Sequence, residues 1–423
     1  MIKFLLQGLW RDRSRSFFPV LTVAFGVFLI VFLEAFFNGA LDNMYDTMAH
    51  HNTGHVKIMT QAYAAEAEQS PNDLALLGLA EWLEILRAQY PDLVWVPRIN
   101  FGGLLDIPDQ YGETRLQGPA AGLAVDLRAG SPELGFLNLE KSLVRGRLPQ
   151  NPGEILLAED FAQKLQVTPG ATVTLLGSTM HGSMAVNNFT LSGTLRFGVA
   201  AMDRGALIVD LRDAQDALDM QDASGVILGF FADDAYDAAQ AEKLTAAFNA
   251  RFRQAADEFS PVMRTLVEDS GMASYFEMAS VTMFLLALVF VAVMALVLWN
   301  AGLIGGLRRY GEMGVRLAIG ESKRHIYFSL LGEAALIGIG GSLIGTCFGL
   351  LLAYWLQYHG LDYGAVFKNS TLMVENVLRA RVTPSCYVVG FFPGVLATFI
   401  GNALAGLGIF RRQTAQLFKE LEA

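Results

Sequence analysis

Cysteine is nearly absent from this 423-residue sequence; Cys347 and Cys386 are the two that occur. Both lie in or beside apolar runs, so the long polar region ahead of them has none, which excludes a disulfide framework there. Charge is also scarce, at 17% of residues against 53% hydrophobic, where a soluble domain usually carries about a quarter. No Gly-x-x-x-x-Gly-Lys-Ser/Thr run occurs, so the sequence holds no phosphate-binding loop of that type. Gly-x-Ser-x-Gly, His-Glu-x-x-His and paired Cys-x-x-Cys are missing too, and no enzyme site is visible. No basic, aromatic-interleaved patch points to nucleic acid.

What is present is a division of charge. Met44 to Ser274 holds 16 Lys/Arg against 30 Asp/Glu, a balance of −14, and the remainder holds 15 against 11, a balance of +4. The acidic part is predicted to lie outside the membrane and the basic flanks of the apolar runs to lie inside. Met1–Ser16 sets Ile2, Leu5, Leu6 and Leu9 at helical spacing and follows them with Arg11, Arg13 and Arg15. It reads as an interfacial helix with an inside flank. A signal peptide is the alternative reading. The following run, Phe17–Leu33, is too long and too aromatic for one and lacks a small-residue cleavage site.

Three further apolar runs follow, Phe276–Leu298, Ile326–Trp355 and Tyr387–Phe410, each long enough for roughly 30 Å of hydrocarbon. The fold class is therefore a membrane α-helical part of four transmembrane helices plus an α+β extracytoplasmic domain between the first and second spans. Within the polar region, Asp42–His55 extends the first span and Thr53–Ile58 turns into a strand. Asp73–Gln89 is helical in pattern and Val94–Ile99 is a strand. Gly153–Ala158, Glu159–Leu165 and Ala171–Leu176 form a strand–helix–strand unit, and Asn188–Phe197 adds a strand. Strand, helix, strand, helix, strand then follow at 206–209, 211–219, 226–231, 237–252 and 262–267. His50, His51 and His55 match no zinc spacing. Asp106, Asp109 and Glu113, and the pair Asp233 and Asp234, could be catalytic or bind metal, and acidic surface turns explain them equally well. Glu34 is placed near the outer end of its span, Glu333 about two turns inside its own, and Pro393 is expected to kink the fourth span.

Between the second and third spans lies Gly305–Gly320, with Arg308, Arg309 and Arg316, followed by Lys323 and Arg324. Met313, Val315, Leu317, Ala318 and Ile319 make it too apolar for a solvated linker. It reads as a short amphipathic helix at the cytoplasmic membrane face, open to a partner. In the third span, Gly341, Gly345 and Gly349 recur every fourth residue and make a small-residue stripe for close helix packing. Packing within one chain is the favoured reading, a dimer seam the alternative.

Arg309–Gly320 resembles the loop pattern R-x-x-E-[IM]-G-x-x-[RK]-A-[IL]-G-A of the ABC permeases that include macrolide-efflux, cell-division (FtsX) and lipoprotein-releasing (Lol) members. Glu333–Gly345 is similar to the family's next span. Leu317 stands where a basic residue is common, and Glu321 where a small one is. Gly54–Ile58 is similar to a run after the first span in Lol-like permeases, and Gly153–Gly177 resembles the family's periplasmic pattern. Arg411–Glu422 resembles its closing segment without the prolines.

The resemblance implies a mechanotransmission permease in a bacterial inner membrane, multi-pass, with its large domain in the periplasm. It implies the segments 1–16 interfacial helix, 17–43 first span and stalk, 44–274 periplasmic domain, 275–304 second span, 305–325 coupling loop, 326–358 third span, 359–385 connection, 386–410 fourth span and 411–423 tail. Within 44–274, residues 44–100 with 195–272 would be porter-like and 101–194 a β-rich insertion. Arg308, Arg309, Glu312, Met313, Gly314, Arg316, Leu317, Ala318 and Gly320 would contact the ATPase. The chain itself would be no enzyme and hold no cofactor; ATP and Mg would sit on two separate ATPase subunits. A second permease subunit, identical or paralogous, and membrane lipids complete the implied partners. Lipoprotein or another lipid-like cargo is the preferred substrate class. Drug or peptide efflux, and FtsX-like signalling to a cell-wall hydrolase, are the alternatives.

Overall fold

The computed structural model describes residues 13–109, 111–198, 200–254, 256–269, 271, 273–308, 315–316, 318–362 and 377–410. The chain divides into two compact units, Met1–Leu41 with Ser274–Leu361 and Leu378–Ala423, and Asp42–Ala273 with Asp362–Val377.

The first unit is helical. Helix α1 runs Arg13–Met48 and ends in a π-helical turn, Ala49–Thr53. Thirty-six residues at 1.5 Å each make about 54 Å, well beyond the ~30 Å of a hydrocarbon core. Four helical stretches among the described residues have the length and apolarity to cross a membrane: Phe17–Thr53, Val281–Ile304, Lys323–His359 and Pro384–Ala405. Their outward sides carry Phe25, Phe284, Leu288, Phe348 and Phe392, each more than half exposed, as a lipid-facing surface requires.

The fourth of these is interrupted, but not at Pro393 itself. One helix covers Pro384–Val389, the next Phe391–Phe410, and the break falls at Gly390. A proline clashes with the carbonyl four residues earlier and offers it no N–H. For Pro393 that carbonyl belongs to Val389, the last residue before the break. The effect of the proline thus shows one turn upstream.

The polar unit is built on one ten-stranded mixed sheet. We number its strands β1 (Val56–Thr60), β2 (Leu93–Pro108), β3 (Thr114–Val125), β4 (Leu143–Gly146), β5 (Glu154–Ala158), β6 (Thr172–Ser178), β7 (Met184–Leu195), β8 (Ala206–Asp210), β9 (Val226–Phe231) and β10 (Pro261–Thr265). Their order is β10-β1-β9-β2-β3-β8-β5-β7-β4, with β6 paired to β2 and β7. β3 with β8 and β5 with β7 are parallel; the other pairs are antiparallel. The 16-residue β2 is the common member. Leu93–Arg98 pairs with β9, Ile99–Pro108 with β3, and Gly103–Asp106 with β6. Val94, Trp95, Val96, Ile99 and Phe101 supply the β-branched and aromatic side chains that favour such a strand.

The expected strands near 153–158, 206–209 and 226–231 and the helices near 211–219 and 237–252 are found with small shifts of boundary. The helical pattern from Asp73 begins later. Asn72–Leu74 is a 3-10 turn, Leu76–Leu77 pairs with Ala223–Ser224, and the α-helix proper is Leu79–Gln89. β3 has no counterpart in the expectations. Gly118, Pro119 and Gly122 disfavour a strand in isolation. The packing uses both glycines: a Cβ on Gly122 would fall inside the Phe101 ring, and one on Gly118 would strike Phe161.

Two buried ion pairs cross-tie this unit. Arg98 donates to Glu133 through Nε (2.7 Å) and Nη2 (2.6 Å), and both side chains are almost fully buried. Lys57 Nζ lies 2.9 Å from Asp269 Oδ2, both also buried. Lys57 is on β1, between β10 and β9, and Asp269 lies in the short helix Leu266–Asp269 after β10. The pair, with the Leu266 N–H to His55 carbonyl bond (3.2 Å), fastens together the two ends of the Asp42–Ala273 stretch of this unit.

Candidate functional site

Helix α1 and the helix Lys323–His359 meet along the glycine stripe. A Cβ on Gly341 would lie 2.7 Å from Val23 Cβ, one on Gly345 2.8 Å from Val27 Cβ and against the Ala24 carbonyl, and one on Gly349 2.9 Å from Val31 Cβ. The three glycines therefore face valines one turn apart on α1, all within one chain. A Cβ on Gly340, one residue from this line, would meet nothing within 4 Å. The other contacts use the same device. Gly26 opposes Met294; Gly338 opposes Thr398 and Val395; Gly401 opposes the Ala295 carbonyl and Leu298. Removing the side chain lets backbones approach closely where hydrophobic segregation gives no help inside lipid. Val23, Val27, Ile30, Val31, Met294, Leu298 and Ala397 fill the space between.

One end of the bundle is polar. Ser385 Oγ donates to Glu34 Oε1 (3.2 Å), Asn38 Nδ2 to Thr383 Oγ1 (3.0 Å), and the Arg381 N–H to the Ala35 carbonyl (2.8 Å). Gln357 Oε1 accepts from the Val382 N–H at 3.1 Å. Three of the spans are thus joined through the segment that precedes Pro384. Glu34 is hydrogen-bonded there.

At Gly305–Gly320 the structure is partial. Arg309, Glu312, Met313, Gly314 and Leu317 lie outside the described residues, and Arg308 is the last residue of the helix Ala273–Arg308. Val315, Arg316 and Ala318 are helical, and the Ile319 N–H reaches the Val315 carbonyl at 3.0 Å. Gly320 closes this turn with φ +98°, a conformation that favours glycine. Arg316 then grips Glu321: Nε to Oε2 at 2.6 Å, Nη2 to Oε1 at 2.8 Å. His325 Nε2 stands 3.5 Å from the same carboxylate. The Arg316 guanidinium holds the Glu321 carboxyl below the usual carboxylate range. Ser322 caps the next helix, accepting from the His325 N–H. Glu321, a departure from the family's loop pattern, is the residue that ties the end of the loop to the foot of the third span. Its role depends on Arg316 lying five residues earlier across a tight turn, which residue type alone does not reveal. Val315 and Ile319 remain exposed at 59% and 80%, so apolar surface is on offer at this face.

In the polar unit the histidines do separate work. His50 Nε2 lies 3.0 and 3.1 Å from the two oxygens of Asp234, its ring stacked on Phe136. His55 Nδ1 accepts from the Phe231 N–H at 3.0 Å, which places the ring proton on Nε2. Burial pushes the His55 imidazole down to about 4. Among the described residues no group of three or more His, Cys, Asp or Glu is set to hold a metal.

A model of the MacB-like periplasmic core domain matches residues 16–248, more than half of the chain. The chain belongs to this family. A second model, the FtsX-like permease C-terminal region, matches 284–414, which takes in the last three apolar helices and the basic segment among them. Together they make the chain an ABC-type permease of the MacB/FtsX/LolC kind, a membrane protein with a periplasmic domain. Two curated relatives, each a lipoprotein-releasing system transmembrane protein LolC from Xylella fastidiosa strains 9a5c and Temecula1, are 27% identical over 242 residues. Those matches cover 55% of this chain and 56% of each relative, so the shared region is about half of either protein. The crystal structure of the periplasmic region of MacB from Actinobacillus actinomycetemcomitans aligns over 53% of this chain and 94% of that one, at 12% identity and a TM-score of 0.36.

Proposed function

We propose that this permease transmits ATP-driven movement of two separate ATPase subunits, which hold the ATP and Mg, across a bacterial inner membrane. Its periplasmic domain, inserted between the first and second spans, would act on lipoprotein or other lipid-like cargo, beside an identical or paralogous second permease subunit. The observation that carries this reading is the glycine–valine seam. The third span begins just after Glu321 grips Arg316; its first part packs on the fourth span, through Tyr327 and Gly338, and from Gly341 to Gly349 it packs against α1. Movement imposed on the 305–325 loop therefore has a close-packed route to the helix that leads into the polar domain. The four helices carry few charged groups from which to line a hydrophilic pore, which supports work on the far side of the membrane. Lipid-like cargo is supported by the LolC relatives and the Gly54–Ile58 run. The division of 44–274 into porter-like parts and a β-rich insertion belongs to the same proposal. β2 would be the strand common to both parts, and β8, from beyond residue 195, pairs with β3 and β5 of the insertion.

The test is to purify the chain from its native membrane, identify by mass spectrometry what accompanies it, and reconstitute the assembly in liposomes. Glu312→Lys or Gly314→Trp in the loop is expected to leave insertion intact and lower cargo release per ATP. Unchanged release per ATP in both variants would remove the coupling role. A cell-wall hydrolase in place of cargo would replace transport with signalling.

A further inference from the structure

A cavity of about 510 Å³ opens in the polar unit against the first half of β2, within the ~300–1,000 Å³ typical of ligand sites. Five consecutive β2 residues, Leu93 to Pro97, line it. Successive side chains of a strand point to opposite faces, so a run of five beside one cavity means that the cavity meets the strand's edge.

The hydrogen-bond phase shows which edge. The His55 N–H bonds to the Gly229 carbonyl, so Gly229 of β9 faces β1, and Leu228 and Phe230 face β2. Their register partners Val96 and Val94 therefore turn their backbone groups toward β9. Trp95 and Pro97 turn theirs the other way. On that other side β3 pairs with β2 from Ile99 onward, and Ala124 of β3 is opposite Ile99. Among the described residues no strand continues that line past Leu93–Arg98. Pro97, which has no N–H to offer, sits where strand prolines are tolerated, on an unpaired edge.

The rim carries three arginines and three aspartates, so what distinguishes them is which are already paired. Asp126 is held by Arg128, Asp210 accepts from the Leu127 and Arg212 N–H groups, and Asp222 accepts from the Ala80 N–H. Arg87 and Arg212 also line the cavity, and among the described residues neither has a carboxylate at ion-pairing distance. The carboxylates are engaged internally; Arg212 lies in the field of Asp126 without a hydrogen bond to it, and Arg87 has no carboxylate at that range.

We propose that this cavity is a peptide-binding site: an extended, acidic and apolar segment of a partner protein adds itself to β2 in line with β3. It would bond to the Trp95 N–H and the Trp95 and Pro97 carbonyls, set an apolar side chain near Leu83, and present carboxylates to Arg87 and Arg212. This is strand addition with side-chain pockets. It stands apart from the question of cargo, because it requires only a polypeptide.

The test uses the full chain in detergent micelles and a fluorescein-labelled octapeptide of alternating valine and glutamate, followed by fluorescence anisotropy. Saturable binding is expected, weakened about tenfold or more by Arg87→Glu with Arg212→Glu. Ala80→Trp, a substitution at an exposed rim position, is expected to block it while leaving the thermal midpoint unchanged. A valine–lysine octapeptide is expected not to bind. The valine–glutamate peptide N-methylated at alternate amides, in either phase, keeps its charge and loses strand pairing; one phase is expected to lose binding. Equal binding of both methylated peptides, or binding unaffected by Ala80→Trp, would overturn the site. Absence of saturable binding by the parent peptide would overturn it as well.

Discussion

Glu321 receives both prongs of the Arg316 guanidinium, at 2.6 and 2.8 Å, across the turn made by Gly320. The Glu321 N–H also reaches the Arg316 carbonyl at 3.0 Å. Side chain and backbone together therefore close the end of the 305–325 loop just ahead of the Ser322 cap. Glu321→Ala should leave folding and insertion unchanged, because the pair is solvent-accessible and such pairs add little stability. It should lower cargo release per ATP by roughly fivefold or more, the scale of a modest coupling free energy. Reconstituted release and ATPase assays on the same preparation check this; a parallel fall in both rates would mean lost activity rather than lost coupling.

The glycine seam predicts a contrast between neighbours. Gly345→Leu must push a side chain into the Ala24 carbonyl and Val27, and overpacking of this kind costs about 1–3 kcal/mol or more. Gly340→Leu, with open space in front of it, should cost little. Thermal melts of the two variants in detergent should separate clearly.

Lys57 and Asp269 give a third prediction. Lys57→Met leaves Asp269 buried without its partner, and breaking a buried pair in this way costs about 3–5 kcal/mol. Lys57→Met combined with Asp269→Leu should recover much of the loss. Trp82 and Trp95 lie in this unit, so urea titration monitored by tryptophan emission can follow its unfolding.

His55 predicts a pH dependence. Its folded value of about 4 lies below the ~6.5 of an unfolded histidine. The unfolded chain therefore binds this proton first, and stability is lost as pH falls from about 6.5 towards 4. Between pH 7 and pH 5 the loss should be about 2 kcal/mol from this residue. In His55→Asn, which cannot take up the proton, that part of the slope should vanish, as paired urea titrations at the two pH values would show.

The apolar helices were legible because hydropathy needs no partner. The strands near Glu154–Ala158 and Val226–Phe231 were legible because β-branched and aromatic residues mark them locally. β3 was not. Its glycines at 118 and 122 look like breakers until Phe161 and Phe101 are brought over them, and that is a fact of tertiary packing. The break at Gly390 was displaced from the proline that causes it by the four-residue reach of the helix hydrogen bond. In the loop, arginines and glycines could be read as a candidate contact surface, whereas Glu321 looked like a mismatch until Arg316 was found beside it.

The valines of α1 give the seam a thermal property. A valine within a helix has essentially one side-chain rotamer, and glycine has no side chain to freeze. Packing Val23, Val27 and Val31 onto Gly341, Gly345 and Gly349 therefore surrenders little conformational entropy, where a leucine or methionine joint would surrender more. With few rotamers to release on warming, this joint should hold its tightness over the range of temperatures at which the protein works.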